Sequence, residues 1–127
     1  MRNLLLVGSG GFLGSVCRYY LGAMVMRAAG APRFPYGTAL VNVTGCLLIG
    51  LLAGLAEVAH LLTPSTRLFL LTGFLGGFTT FSAFAYETYF LGREQAWGPA
   101  ALNVGLQVSL GLAAVVIGHR LATAFAG

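Results

Sequence analysis

Residues 73–84 read GFLGGFTTFSAF, and they lie within an apolar run long enough to cross a membrane. The stretch holds three glycines, two threonines, one serine and four phenylalanines. Glycine weakens a helix, and threonine and serine are mediocre helix formers, so we expect a break near residues 76–80. Unwound backbone at membrane depth is tolerated only where it is buried in protein or lines a cavity, and its free carbonyls suit a small cation such as Na⁺. The stretch therefore predicts an interrupted membrane helix.

The composition of the whole chain indicates a bilayer as its solvent. Of 127 residues, 57% are hydrophobic and 8% are charged, whereas an ordinary soluble domain has about 25% charged residues. Four apolar runs, each close to the ~20 residues that span a bilayer, cover residues 3–26, 37–56, 68–86 and 99–118. The sequence thus predicts an all-α integral membrane protein with one four-helix domain over residues 1–127. The basic residues do not cluster on one polar face, so we expect no nucleic-acid partner.

The segments between the runs are short and carry turn residues: GAPRFPYG, EVAHLLTPSTR and GREQAWGP. They leave no room for a soluble domain. A cleaved signal peptide is the alternative interpretation of the first run, but that run is long, contains Arg18 and lacks a convincing cleavage site. Glycine pairs at Gly10/Gly14, Gly50/Gly54 and Gly73/Gly77 allow close helix contacts in lipid, either within a subunit or between subunits.

The basic residues divide equally between the two sides of the predicted bundle. All seven are arginines, and Arg18 lies within the first run. With four spans, the two sides hold Arg2, Arg67 and Arg120 against Arg27, Arg33 and Arg93. Because a bias in basic loop residues sets orientation, a tie leaves the chain free to insert both ways. We therefore expect an antiparallel, dual-topology homodimer, although short loops with few charges would also produce a tie.

Polar side chains within the runs are costly and so indicate where function resides. They include hydroxyls in every run and amides inside the second and fourth runs, but the first two runs contain no internal carboxylate. This absence argues against a proton-coupled exporter. His60 and His119 are far apart in sequence and have no cysteine or carboxylate at ligand spacing, so an enzyme or a side-chain metal site has little support. Cys17 and Cys46 are expected to be small packing residues.

The aromatic residues after the glycines recur every three positions, at Phe78, Phe81 and Phe84. This spacing predicts that the three rings lie on one helical face. An ordinary core or lipid-facing stripe would have the same spacing. The other interpretation is that the positive ring edges border an anion where water is absent.

Three motifs together are specific: GGFLGSVCRY at 10–19, GTALVNVTGCLLIG at 37–50 and GFLGGFTTFSAF at 73–84. Their order and spacing resemble the Fluc/CrcB family of fluoride channels over essentially the full chain. The resemblance implies a dual-topology homodimer with two fluoride pathways, and a third helix broken mid-membrane around a central structural Na⁺. Because the sequence shows no ATP-binding motif and no coupling carboxylate, we expect passive export of fluoride across a bacterial inner membrane, without an organic cofactor.

The resemblance also implies roles for individual residues. Asn42 is the pore amide, Phe81 and Phe84 are the aromatic pair that borders the anion, and Arg18 lies in the vestibule. The carbonyls of Gly76 and Thr79 hold Na⁺. Further members of the fluoride pathway are Thr38, Ser82, Glu87, Asn103 and Gln107. The fourth helix departs from the family pattern, since Asn103, Gln107 and Gly111 stand where many relatives carry an aromatic hydroxyl followed by serines.

Two other functions remain open on the sequence. A small multidrug-type exporter shares four helices and dual topology, but its transport would stop when the proton gradient collapses. A structural assembly subunit would need no polar track through the membrane.

Overall fold

The structure is a computed structural model that describes residues 1–30, 33–58 and 62–126. These residues form six α-helices and one π-helical segment: α1 (Arg2–Ala28), α2 (Tyr36–Val58), α3 (Pro64–Arg67), the π-helical segment Leu68–Leu75, α4 (Gly76–Phe78), α5 (Phe81–Arg93) and α6 (Trp97–Ala126). The elements α3 to α5 follow one another in a third span.

Four of the resulting helical stretches are long and apolar enough to cross a membrane: Arg2–Ala28, Tyr36–Glu57, Pro64–Arg93 and Trp97–Phe125. The predicted all-α fold with four membrane-spanning helices is therefore confirmed. Each stretch extends past the apolar run that the sequence marked. The third begins early because the Thr63 hydroxyl accepts a hydrogen bond from the Thr66 amide, and Pro64 occupies the first turn, where its missing N–H is not needed.

The third span changes its backbone conformation twice. Leu68–Leu75 is π-helical, and the helix ends at Phe78. Thr79 (φ −81°, ψ 158°) and Thr80 (φ −151°, ψ 112°) are extended. The α5 helix then begins at Phe81, because the Thr80 hydroxyl accepts a hydrogen bond from the Ala83 amide, as an N-cap residue does.

Glycine lets the helices within the chain approach each other closely. Gly10 and Gly14 of α1 face the backbone of the third span, and an added Cβ at Gly14 would lie 2.8 Å from the Phe78 nitrogen. Gly50 and Gly54 of α2 face α6 in the same way. The glycine pairs therefore serve packing within the subunit. A small apolar core of Val41, Leu75 and Phe78 lies where α1, α2 and the third span meet.

The phenylalanines of the third span do not share one face. Phe78 ends α4, is only 5% exposed and stacks on Phe74 with ring centroids 5.9 Å apart. Phe81 and Phe84 lie after the interruption, and Phe81 is 79% exposed. The prediction of a single aromatic face is wrong. The extended residues Thr79 and Thr80 interrupt the helix between Phe78 and Phe81, so helical spacing does not hold across them.

Candidate functional site

The side chain of Asn42 in α2 holds the extended segment of the third span at two points. Its Oδ1 accepts a hydrogen bond from the Thr80 backbone N–H at 2.8 Å, and its Nδ2 donates to the Thr80 carbonyl at 3.0 Å. An extended residue presents its N–H and C=O on the same side, so one side-chain amide can pair with both. The interruption and the predicted pore amide are therefore one structural unit.

The same amide continues into a chain of hydrogen bonds that runs along α6. Asn42 Nδ2 donates to Gln107 Oε1 at 2.7 Å, and Gln107 Nε2 donates to Asn103 Oδ1 at 2.8 Å. Asn103 Nδ2 then donates to the Thr88 hydroxyl at 2.9 Å, and Thr88 donates to the Phe84 carbonyl at 2.8 Å. Asn103 is fully buried and Gln107 is 9% exposed. Polar groups in such positions need these partners, because unpaired burial is costly.

An open cavity of about 380 Å³ lies against this chain. Its wall includes the predicted aromatic pair, Phe81 and Phe84, whose ring centroids are 5.5 Å apart with the planes tilted by 53°. Asn42, Thr79, Thr80 and Gln107 supply polar groups to the same wall. We call this space the aromatic hollow. It contains no charged side chain among its lining residues.

A second cavity, of about 560 Å³, contains a charge. Arg18 lines it together with Thr38, Thr80 and Ser82, and we call it the arginine hollow. Thr80 lines both hollows, so the extended segment forms the boundary between them. The Thr80 and Ser82 hydroxyls are 3.3 Å apart at this point.

The predicted residue Glu87 lies further along α5. Its Oε1 accepts a hydrogen bond from the Thr38 hydroxyl at 2.6 Å. Its Oε2 is buried and has no hydrogen-bond partner among the residues that the structure describes. Arg33 and Glu87 together line a smaller cavity of about 270 Å³ that also includes Thr38. Thr38 lines both this cavity and the arginine hollow, so the carboxylate that it contacts lies between the arginine hollow and Arg33.

The interruption also frees carbonyl oxygens. In a continuous helix the Gly76 carbonyl would accept from the Thr80 N–H, but this N–H donates to Asn42 Oδ1. The Thr79 carbonyl would likewise accept from the Ala83 N–H, which donates to the Thr80 hydroxyl. Gly76 is exposed and has open space where a Cβ would stand. Carbonyl oxygens released in this way fit the chemistry of a bound Na⁺.

The structure groups most of the predicted site residues around Thr80. Asn42, Phe81, Phe84 and Gln107 line the aromatic hollow, and Arg18, Thr38 and Ser82 line the arginine hollow. Cys46 is partly buried and packs against Gly111 beside the aromatic hollow, as expected of a small packing residue, whereas Cys17 is exposed. His60 lies outside the described residues, and His119 Nε2 is 3.0 Å from Glu57 Oε2.

Two polar residues of this site had no assigned role in the sequence. Thr80 joins the two hollows, and a threonine directly before the helical run that begins at Phe81 was a recognisable N-cap signal. Thr88 ends the hydrogen-bond chain from Asn103. Only the three-dimensional packing of α5 against α6 reveals it, since threonine in an apolar helix usually bonds its own backbone.

Comparison with known proteins identifies the family. The model for the family described as "CrcB-like protein, Camphor Resistance (CrcB)" matches residues 5–119. The chain belongs to the CrcB family. The resemblance noted in the three motifs is thereby confirmed.

Several relatives match over nearly their whole length. A protein of Maridesulfovibrio salexigens is 44% identical over 121 residues, which is 95% of each chain. One from Methylobacillus flagellatus is also 44% identical, over 95% of this chain and 94% of its own. One from Nitratidesulfovibrio vulgaris is 46% identical, over 93% and 94% respectively. All three are named "Fluoride-specific ion channel FluC".

These relatives confirm two broader predictions. The relatives are named for ion conduction rather than for catalysis, and this chain is not an enzyme. Together with the four apolar helices, the family also establishes a multi-pass membrane protein.

Proposed function

We propose that the chain forms a fluoride-selective channel through which fluoride leaves the cytoplasm passively, down its electrochemical gradient. The names of its relatives support the substrate. The observation that carries the proposal is the pair of hollows that meet at Thr80, one containing Arg18 and the other lined by amides and aromatic rings. An anion would be attracted by the guanidinium and would then meet donors that carry no net charge.

Selectivity for fluoride follows from the cost of dehydration. Fluoride is small and strongly hydrated, so a narrow path must replace its water with hydrogen-bond donors and yet hold it weakly enough to release it. The hydroxyls of Thr80 and Ser82 and the amide of Gln107 are such donors, and the Phe81 and Phe84 rings offer positive edges. Chloride costs less to dehydrate than fluoride, so its exclusion depends on its larger size, which fits a narrow wall poorly.

The direction of flow would be set by the cell. In a bacterium with an inside-negative membrane potential, an anion that moves freely is driven outward. We therefore place the protein in the cytoplasmic (inner) membrane, where it would remove fluoride that had entered as HF.

We further propose that two copies pair in antiparallel orientation. The equal division of arginines between the two sides supports insertion in both directions. In a single copy, Phe81 is 79% exposed and the aromatic hollow is open on one side. A second copy against this face would close the hollow and complete the wall of each pathway.

A bound Na⁺ at the carbonyls of Gly76 and Thr79 belongs to the same proposal. The ion would supply a positive charge that satisfies carbonyl oxygens freed by the interruption. The protein itself stabilises the rest of the interruption: Asn42 fixes the extended segment, and Thr80 caps α5.

Anion release from liposomes tests the function. The purified protein is reconstituted into vesicles loaded with KF or KCl, valinomycin is added, and ion-selective electrodes follow the external anion. We expect rapid fluoride release and retained chloride, unchanged when a protonophore removes any proton gradient. Release that stops with the protonophore would indicate an exporter, and retention of both anions by vesicles containing folded protein would overturn the channel proposal.

A further inference from the structure

The direction of the hydrogen-bond chain between α2, α6 and α5 is fixed by the backbone. A side-chain amide can usually be turned end for end, because its oxygen and nitrogen are nearly the same size. At Asn42 this freedom is lost, since the Thr80 N–H requires Oδ1 and the Thr80 carbonyl requires Nδ2. Each following partner must then present an acceptor first and a donor second. The hydrogen bonds therefore have one possible donor-to-acceptor direction, from Asn42 at Thr80 to the Phe84 carbonyl.

A count of the amide hydrogens along the hydrogen-bond chain shows which of them already donate to a protein acceptor. A side-chain amide carries two N–H hydrogens. Those of Asn42 donate to the Thr80 carbonyl and to Gln107 Oε1. Gln107 uses one hydrogen on Asn103 Oδ1, which leaves it a second. Asn42 therefore has no spare donor in this arrangement, whereas Gln107 has one and lines the aromatic hollow beside Phe81 and Phe84.

The Asn42 end sets which way the Gln107 amide points, and the far end of the hydrogen-bond chain gives that amide a second anchor through Asn103. Asn103 is 0% exposed and donates to the Thr88 hydroxyl, whose own hydrogen is on the Phe84 carbonyl. Thr88 is thereby made an acceptor toward Asn103. With that acceptor in place, Asn103 presents Oδ1 to Gln107 and holds the amide plane.

We propose that Thr88 and Asn103 are positioning residues that orient the Gln107 amide, so that its second Nε2 hydrogen is the donor offered to the anion in the aromatic hollow. Neither positioning residue touches the ion. Asn42 in turn serves to fix the direction of the chain rather than to donate to the anion itself. This inference rests on the proposed fluoride channel.

Nuclear magnetic resonance of the intact protein in detergent micelles tests the assignment directly. The chain contains only two glutamines, Gln95 and Gln107, so [¹⁵Nε2]glutamine labelling gives two side-chain amide groups, with exposed Gln95 as an internal control. We expect sodium fluoride to move one of the two Gln107 hydrogens downfield, with sodium chloride having no effect. The inference is overturned if neither Gln107 hydrogen moves, if both move equally, or if [¹⁵Nδ2]asparagine labelling shows the response at Asn42.

Variants at Thr88 test the positioning role. Thr88→Val keeps the shape and removes the hydroxyl, whereas Thr88→Ser keeps the hydroxyl. In the valine variant the buried Asn103 amide loses its acceptor. We therefore expect fluoride release to fall about tenfold, and fluoride should no longer shift one Gln107 hydrogen selectively. The serine variant should restore both. Thr123→Val is the matched control, since Thr123 also donates to its own helix, at the Arg120 carbonyl, but lies outside the chain of hydrogen bonds.

The outcomes separate this inference from the function on which it rests. Unchanged release and an unchanged Gln107 response in Thr88→Val would overturn the positioning role while leaving the channel intact. If the unmodified protein releases no fluoride from liposomes and no amide responds to fluoride, both the inference and the channel proposal fail.

Discussion

The two halves of the third span differ in what holds them. Before the interruption, Leu75 and Phe78 are 2% and 5% exposed and pack among apolar neighbours, and glycines of α1 lie against the backbone. After it, Phe81 is 79% exposed and Tyr86 is 61% exposed, and α5 is tied to α2 and α6 by polar side chains. The first half is thus anchored by close packing, and the second by hydrogen bonds. We expect mutations in the first half to change stability and those in the second to change ion flow.

The largest effect on flow is expected for Asn42→Asp. A carboxylate still accepts from the Thr80 N–H, but it opposes the Thr80 carbonyl and Gln107 Oε1 and repels an anion. Like charges about 4 Å apart cost about 4 kcal/mol at an effective dielectric constant of 20, so we expect fluoride release to fall at least about 100-fold. Asn3→Asp, at the exposed N-terminus, is the control in the same liposome assay. Unaltered release from Asn42→Asp would contradict the role of this amide.

The packed half should respond to a single methyl group. In Gly14→Ala the new Cβ would lie 2.8 Å from the Phe78 nitrogen, which belongs to the backbone and cannot move freely. We expect a loss of about 1–3 kcal/mol of stability, typical of overpacking, visible as a lower unfolding temperature in detergent. Gly8→Ala on the same helix meets nothing within 4 Å and should be neutral or stabilising. Equal stability of the two variants would contradict the close contact between α1 and the third span.

A smaller effect on flow is expected from the aromatic pair. Replacing both Phe81 and Phe84 with isoleucine keeps the wall apolar but removes the ring edges. Aromatic contacts are worth about 0.5–1.5 kcal/mol each beyond their area, so the double variant should release fluoride about tenfold more slowly. Phe12→Ile, at an exposed phenylalanine of α1, should leave release unchanged. If the double variant releases fluoride as fast as the unmodified protein, the two rings have no role in conduction beyond packing against each other.

The smallest of these effects is expected for Arg18→Gln. Arg18 lines the arginine hollow and acts through long-range attraction, which salt screens within about 10 Å at 0.1 M ionic strength. We expect release to slow about threefold at low ionic strength and by less at high ionic strength. Arg120→Gln serves as the control for net charge. A salt-independent defect would indicate instead that Arg18 maintains local structure.

The sequence predicted the four spans because a bilayer demands about 20 apolar residues from each helix. The glycine and threonine content of residues 73–84 likewise indicated where the helix is weakest, and Thr79 and Thr80 are the residues with extended backbone. The π-helical segment Leu68–Leu75 could not be predicted, since leucine and phenylalanine give no signal that separates a π-helix from an α-helix.

The sequence predicted some residues of the site and missed others. Asn42, Phe81 and Phe84 lie in motifs that resemblance identifies, and the structure places them in one wall. The aromatic face that included Phe78 was wrong because it assumed a continuous helix. The partner of Asn103 at Thr88 depends on how α5 packs against α6, which local sequence does not encode.

Electrical recording from a planar bilayer tests most directly whether the molecule is a selective, passive fluoride path. With a tenfold fluoride gradient and equal chloride on both sides, the current should reverse near the fluoride equilibrium potential, about 59 mV from zero. A pH gradient added across the same bilayer should not move this reversal potential. A reversal potential near zero would show that fluoride is not selected, and one that follows the pH gradient would show coupled transport; either result would contradict the account.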